Sequence, residues 1–215
     1  MYIEYNKKTT EVSFQVHNPH GIFFIQLQDI GGQSINIANK RKMMIQSIFK
    51  RVHPDDLNEN FFKVIGKDWM LITAGKPGDF NTMTASWGTT GILWNKPIAI
   101  CFIRPHRYTF QFADRYDYYT LSFFDEKYRD ILNYCGAHSG KNVDKIGQTG
   151  LKILETSQGN VIFEQARLVL ECRKLYADFL KQECFIDVLI EKKNYPSKDY
   201  HRFFIGEIVG CYKRL

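Results

Sequence analysis

The chain has 215 residues, 44% of them hydrophobic, enough for one well-buried domain. Its net charge is +6 and its pI about 9.0, yet the basic residues are scattered among acids; that argues against a nucleic-acid groove and suits a phosphorylated small partner. Five cysteines without CxxC spacing exclude a disulfide framework or zinc module, no metal-ligand set stands out, no apolar run is long enough to cross a membrane and no secretory leader is recognisable, so a cytoplasmic protein is expected.

Residues 1–46 are expected to be an extension of uncertain structure, and 47–215 a single domain. Within the extension, residues 12–28 contain the apolar run Gly21-Ile22-Phe23-Phe24-Ile25 and read as a strand or hairpin, while Asn39-Lys40-Arg41-Lys42 reads as solvated surface. Asp55 or Asp56 is a candidate cap for a helix carrying Leu57, Phe61, Val64 and Ile65 on one face and stopping at Gly66. Residues 69–74 predict a strand, and Gly75-Lys76-Pro77-Gly78-Asp79 a turn, giving a hairpin over 69–87 whose loop exceeds two residues.

Asn81, Met83, Ala85 and Trp87 alternate with Thr82, Thr84 and Ser86, a period of two with one mostly apolar face and one hydroxyl face. After a turn at Asn95-Lys96-Pro97, the β-branched run 98–103 predicts a strand buried on both faces, and Pro105 should end it. Arg104 and Arg107, three residues apart, offer forked donors suited to a phosphate. Thr84, Ser86 and Thr109 add hydroxyls, Thr109 could cap a helix over 109–114 with Phe110 and Phe112 as core, and Trp87 and Trp94 offer flat apolar surface for a ring. The plainer reading is an edge strand with solvated arginines and core tryptophans, and composition alone favours it.

Residues 118–124 predict an aromatic-rich strand, followed by a helix capped by Asp125 and ending at Gly136. Cys135 and His138 invite a nucleophile reading, but no third orienting residue is evident, and Cys135 reads better as a small buried hydrophobe. Ser139, Lys141 and Lys145 lie in a polar loop that feeds a short helix and could hold a phosphate. There is neither GxGxxG after a strand nor GxxxxGK[ST], so no Rossmann unit or P-loop is expected. Residues 161–176 fit a helical face or a strand, 184–190 predict a strand, 191–198 a loop, and 203–212 a closing strand preceded by His201.

Residues 81–109 (NTMTASWGTTGILWNKPIAICFIRPHRYT), 121–151 (LSFFDEKYRDILNYCGAHSGKNVDKIGQTGL), 168–176 (LVLECRKLY) and 199–208 (DYHRFFIGEI) together resemble the flavin reductase-like, FMN-binding split-barrel family, in particular its flavoredoxin-like branch. The resemblance covers about the last three quarters of the chain. It implies a mainly β fold, a Greek-key split β-barrel with flanking helices, a strand at 168–176, and FMN bound at the interface of a homodimer. It implies an FMN site of Asn81, Met83, Thr84, Ala85, Ser86, Trp87, Arg104, Arg107, Tyr108, Thr109, Ser139, Lys141, Lys145 and His201. Arg104, Arg107, Thr84 and Ser86 would hold the phosphate and ribityl chain; Asn81, Trp87, Thr109 and Lys145 would position the ring. NADH or NADPH would be a transient hydride donor, with a second flavin or a protein as electron acceptor. Hydride transfer requires no acid–base residue, so none is named as catalytic. The alternatives are a flavoredoxin-like electron carrier that does not turn over nicotinamide, and a non-enzymatic basic binding protein.

Overall fold

The computed structural model describes residues 2–6, 11–18, 21–27 and 37–215, with side chains at Asn39 and from Met43 onward. Contacts divide the chain into two compact units, Met1–Lys40 and Arg41–Leu215. The first holds a three-stranded antiparallel sheet of β1 (Tyr2–Asn6), β2 (Glu11–Asn18) and β3 (Gly21–Leu27). The strand or hairpin expected at 12–28 is the β2–β3 pair, its register running from Val12 opposite Leu27 to Asn18 opposite Gly21; Gln28 lies outside the described residues. The Asn39–Lys42 run lies on α1 (Ile37–Gln46).

The second unit is built on a larger antiparallel sheet. Its strands are β4 (Phe49–Arg51), β5 (Met70–Lys76), β6 (Asp79–Ala85), β7 (Gly88–Leu93), β8 (Lys96–Ile103), β9 (Tyr118–Phe123), β12 (Leu168–Phe179) and β13 (Arg202–Arg214). Their order is β6-β5-β9-β12-β13-β8-β7, with β4 on β13. The two edge strands, β6 and β7, are consecutive in the chain and joined by only Ser86 and Trp87. A sheet whose opposite edges are two residues apart must curl almost shut without pairing them, which is a split barrel. Helices α2 (Phe61–Gly66), α3 (Thr109–Arg115), α4 (Arg129–Ala137), α5 (Lys145–Thr149) and α6 (Val188–Asn194), with the small hairpin β10 (Ile153–Glu155) and β11 (Val161–Phe163), flank it.

The strand period of two separates two cores. Met70, Ile72 and Ala74 of β5, Leu168, Leu170 and Cys172 of β12, and Ala99, Cys101 and Ile103 of β8 share one apolar cluster. Leu71 and Val169, on the opposite faces, join a second cluster with Leu132 and Cys135 of α4 and Ile162 and Phe163 of β11. Glu171 also faces this second side and is buried; it accepts from Thr156 Oγ1 (2.5 Å), Asn160 Nδ2 (2.7 Å) and Tyr212 Oη (3.1 Å), so the carboxylate is matched by three donors. The ambiguous stretch 161–176 is thereby strand, β11 and then β12, because both faces of β12 have a core to fill.

Several local expectations are corrected. Asp55 and Asp56 cap no α-helix; they sit in a 3-10 turn (Pro54–Asp56), and α2 starts later, its Lys63 N donating to Asn60 Oδ1 at 3.2 Å. The later cap wins because it places Val64 and Ile65 in the core. Asn60→Ala is expected to cost about 1 kcal/mol, a fall in Tm of roughly 3 °C by calorimetry. The β5–β6 loop has two residues, with Lys76 opposite Asp79; Pro77 followed by Gly78 at φ +89° is the type II pattern.

A strand unforeseen in the sequence, β7, lies between the two expected ones, and its turn into β8 is Trp94-Asn95, both at positive φ (51° and 55°), a two-residue hairpin connection. Pro97 therefore lies inside β8, beyond the β13 ladder that begins at Ile98. Only one face of β8 is closed: Ile100 and Phe102 are half-buried, because a cleft occupies that side near its end. Thr109 is the first residue of α3 rather than its cap, and Phe110 is only half-buried. The strand expected at 184–190 is absent: a 3-10 turn (Gln182–Cys184) leads to α6, capped by Asp187 Oδ1 accepting from Leu189 N at 2.9 Å, and the helix continues through Asn194 into the region expected to be loop. The apolar residues that suggested a strand, Ile186, Val188, Leu189 and Ile190, are exposed.

Candidate functional site

Where β6 leaves the sheet, Met83, Thr84 and Ala85, then Ser86 and Trp87, line a cleft of about 560 Å³. Phe102 and Arg104 at the end of β8, Arg107 in the following turn, His201 at the start of β13, and Leu132, Asn133 and Gly136 of α4 complete much of its wall. A smaller cavity of about 140 Å³ shares Met83, His106 and Arg107 with it and adds Asn81, Tyr108, Thr109, Ser139 and Lys145. Together the linings hold two arginines, a lysine and three histidines, and no carboxylate. Thirteen of the fourteen sequence-designated residues thus meet at two adjoining cavities. Lys141 is exposed and lines neither; its backbone N–H donates to Ser139 Oγ at 3.3 Å.

The cations differ in what they already hold. Arg104 donates to Asp199 Oδ2 (2.6 Å) and to Asn194 O (2.8 Å), and its guanidinium lies 5.1 Å from the Tyr195 ring. Arg104 in turn holds the Asp199 carboxyl below its usual range. Arg107 donates to Gly136 O at 2.8 Å, and burial lowers its pKa from the usual arginine value. It lines both cavities, so it is the cation at their junction.

Lys145 is buried, its Nζ donating to Thr82 O and Cys135 O at 2.8 Å each, and burial drives its pKa down to about 8. Cys135 O belongs to the last turn of α4, whose carbonyls lack helical partners, so Lys145 ties that helix end to β6. The structure separates Trp87, in the larger cleft, from Asn81, Thr109 and Lys145, in the smaller.

The hydroxyls are partly committed. Thr84 Oγ1 donates to Leu132 O at 2.5 Å, and Thr109 Oγ1 accepts from Asn81 Nδ2 at 2.7 Å. A Cβ on Gly140 would meet Asn81 Oδ1 at 2.0 Å, so this loop approaches β6 as only glycine allows. The His201 ring lies beside Trp87, centroids 5.0 Å apart and planes tilted by 44°, and its Nδ1 is 2.8 Å from Tyr195 Oη. Tyr195 is buried and, among the described residues, its hydroxyl bonds to no other group; with the phenol donating to Nδ1, the imidazole would carry its own proton on Nε2. Burial pushes the His201 pKa down to about 4, leaving it neutral at ordinary pH.

The Cys135–His138 reading finds no support. Cys135 is buried with its thiol pKa raised by burial, while His138 is stacked on Tyr134 at 4.0 Å between centroids. Sequence reasoning missed Trp69, Phe102, His106, Leu132, Asn133 and Gly136. His106 lay within the Arg104–Arg107 run and Phe102 in a strand taken as buried on both faces; the α4 residues and Trp69 carry no local signal. Among the described residues no group of three or more His, Cys, Asp or Glu side chains could hold a metal ion, and no helix is long and apolar enough to cross a membrane.

The fold is found in other proteins. Flavoredoxin from Methanosarcina acetivorans superposes with a TM-score of 0.53 at 22% identity, covering 68% of each chain. An FMN-binding protein from Thermus thermophilus, solved with bound 1-cyclohex-2-enone, gives 0.54 at 22% identity over 76% of this chain and 79% of that one. Nitrilotriacetate monooxygenase component B from Bacillus cereus gives 0.52 at 18% identity over 74% and 78%. No curated protein matches the chain in sequence. The family profile described as flavin reductase like domain matches residues 64–214, spanning β5 to β13 and every residue lining the two cavities, and the chain belongs to that family.

Proposed function

We propose that the chain binds FMN in the paired cavities and acts as an NAD(P)H-dependent flavin reductase. The observation that carries this reading is the lining itself: two adjoining cavities with arginines, a lysine, hydroxyls and aromatic rings, and no carboxylate to repel an anion. The donor set fits a phosphorylated, ring-bearing cofactor. The small cavity, with Arg107, Ser139, Thr109 and Lys145, suits the phosphate; the larger, with Trp87 and Phe102, suits the ring. Arg104, engaged by Asp199 and Asn194, serves mainly to hold the Tyr195–His201 wall in place.

The bound flavin would supply the hydride-accepting chemistry. The chain's own residues bind and orient: Arg107 neutralises the tail, Thr84 locks α4 against β6, and neutral His201 offers an Nε2–H donor beside Trp87 without adding charge. NADH or NADPH as donor, a protein electron acceptor, a homodimer, a cytoplasmic location and a flavin domain over 47–215 belong to the same proposal.

Likeness to a flavoredoxin favours a second reading, an electron carrier without nicotinamide turnover. One anaerobic absorption experiment separates them. A flavin spectrum that bleaches when NADH or NADPH is added to the FMN-loaded protein is the expected result. One that stays oxidised points to the carrier, and failure to take up FMN sinks both.

A further inference from the structure

Trp69 belongs to none of the motifs, yet its backbone is in the left-handed region at φ +68°, where a bulky residue is strained. It is the residue before β5, and the next, Met70, pairs with Ala85 of β6. That register sets Trp69 level with Ser86, at the far end of the larger cleft. Along β6 the small cavity's Asn81 lies five residues away, roughly 16 Å at strand rise.

The indole is held by a cation and by the second core cluster. The Arg129 guanidinium lies 4.5 Å from the ring centroid. Arg129 is itself held by three bonds: Nε and Nη2 to Glu126 at 3.1 and 2.8 Å, and Nη2 to Lys67 O at 3.1 Å. The ring nonetheless stays partly exposed and lines the cleft with Thr84, Leu132 and Asn133. A residue at positive φ, an aromatic ring held by a pinned cation, and a cleft that the ring helps to line occur together.

We infer that Trp69 is a stacking platform on which the cleft holds a planar heteroaromatic ring. This rests on the flavin reading of the site. The ring has two sources, the isoalloxazine of FMN or the aromatic ring of the second substrate, and the chemistry of the platform is the same for both. Trp69 is a positioning residue: it fixes the plane of the ring and takes no part in proton or electron transfer.

The test compares wild type with Trp69→Leu and Trp69→Phe by tryptophan fluorescence and equilibrium binding. FMN is titrated at equilibrium, and NADH affinity is then read as the KM of steady-state turnover by the FMN-loaded protein. Trp69→Leu is expected to weaken one of the two ligands about tenfold and Trp69→Phe to restore it to within about threefold, with quenching amplitude reduced in both variants and the remainder coming from Trp87 in the same cleft. Weakening of FMN assigns the platform to the flavin ring; weakening of NADH alone, seen as a raised KM with kcat little changed, assigns it to the second substrate. Unchanged affinities and quenching for both ligands overturn the inference. Wild type that takes up no FMN instead overturns the flavin reading, a separate outcome. If Trp69→Leu does not fold, Arg129→Gln keeps the indole and removes its clamp; there a loss of about threefold is expected, and no change overturns the inference.

Discussion

Arg107→Ala is expected to lower FMN affinity about 30-fold or more while leaving riboflavin affinity within about twofold, since a charge-assisted bond contributes roughly 1.5–3 kcal/mol. Arg107 is the side chain shared by both cavities whose charge is permanent, and only one of its donors is spent, on Gly136 O. Partial burial strengthens its attraction for a phosphate by reducing solvent screening. Riboflavin carries the same ring without the phosphate, so the pair of ligands reads the tail alone. Equal losses for both would place Arg107 against the ring or in the fold, and no loss for FMN would remove the phosphate from the small cavity. Arg104→Ala is expected to weaken FMN less, because Asp199 and Asn194 O already hold its guanidinium.

Lys145→Met is expected to destabilise the protein by about 2 kcal/mol at pH 7, and the deficit should widen as pH rises. The variant leaves Thr82 O and Cys135 O without the ammonium that now reaches both. Part of that loss is offset at pH 7, because burying the charged form of Lys145 is itself unfavourable. Its folded pKa of about 8 lies below the ordinary lysine value of 10.5, so between these pH values the unfolded chain binds the proton and the folded chain does not. Wild-type stability therefore gains as pH rises through that window, while the methionine variant lacks this gain. The neutral amine still has two hydrogens for the two carbonyls. Urea denaturation of both proteins at pH 7, 9 and 10 measures the difference; on the order of 2 kcal/mol should be added to the deficit by pH 10. A deficit that is flat or shrinks with pH would contradict the buried-cation account.

Much of the barrel was legible in the chain. The alternation over 81–87 marked β6, which ends at Ala85, and that over 118–124 marked β9, while 98–103 and 203–212 became β8 and β13 on their β-rich composition rather than on alternation. Where both faces meet a core, as in β5 and β12, the alternation disappears, and 161–176 could be read either way. β7 was invisible for the opposite reason: it is an edge strand of exposed or half-exposed residues, two of them glycine, and its apolar Ile92 and Leu93 are adjacent rather than alternating. The apolar run at 184–190 misled because composition records hydrophobicity and not whether a neighbouring strand exists to pair with it.

The site divides along the same line. Paired arginines, hydroxyls on one face of β6 and the polar loop at 139–145 are local chemistry; residue types alone favoured solvated surface, and the family resemblance turned the reading towards an anion site. Packing decided which cations are already engaged: Asp199 reaches Arg104 from 95 residues away, and Thr82 and Cys135 claim Lys145 from two different elements. Trp69 joined the cleft because β5 pairs beside β6 and α4 brings Arg129 against the ring. Residue chemistry is a property of single positions and short spacings; the partner that engages each group comes through long-range contacts, which no local pattern encodes.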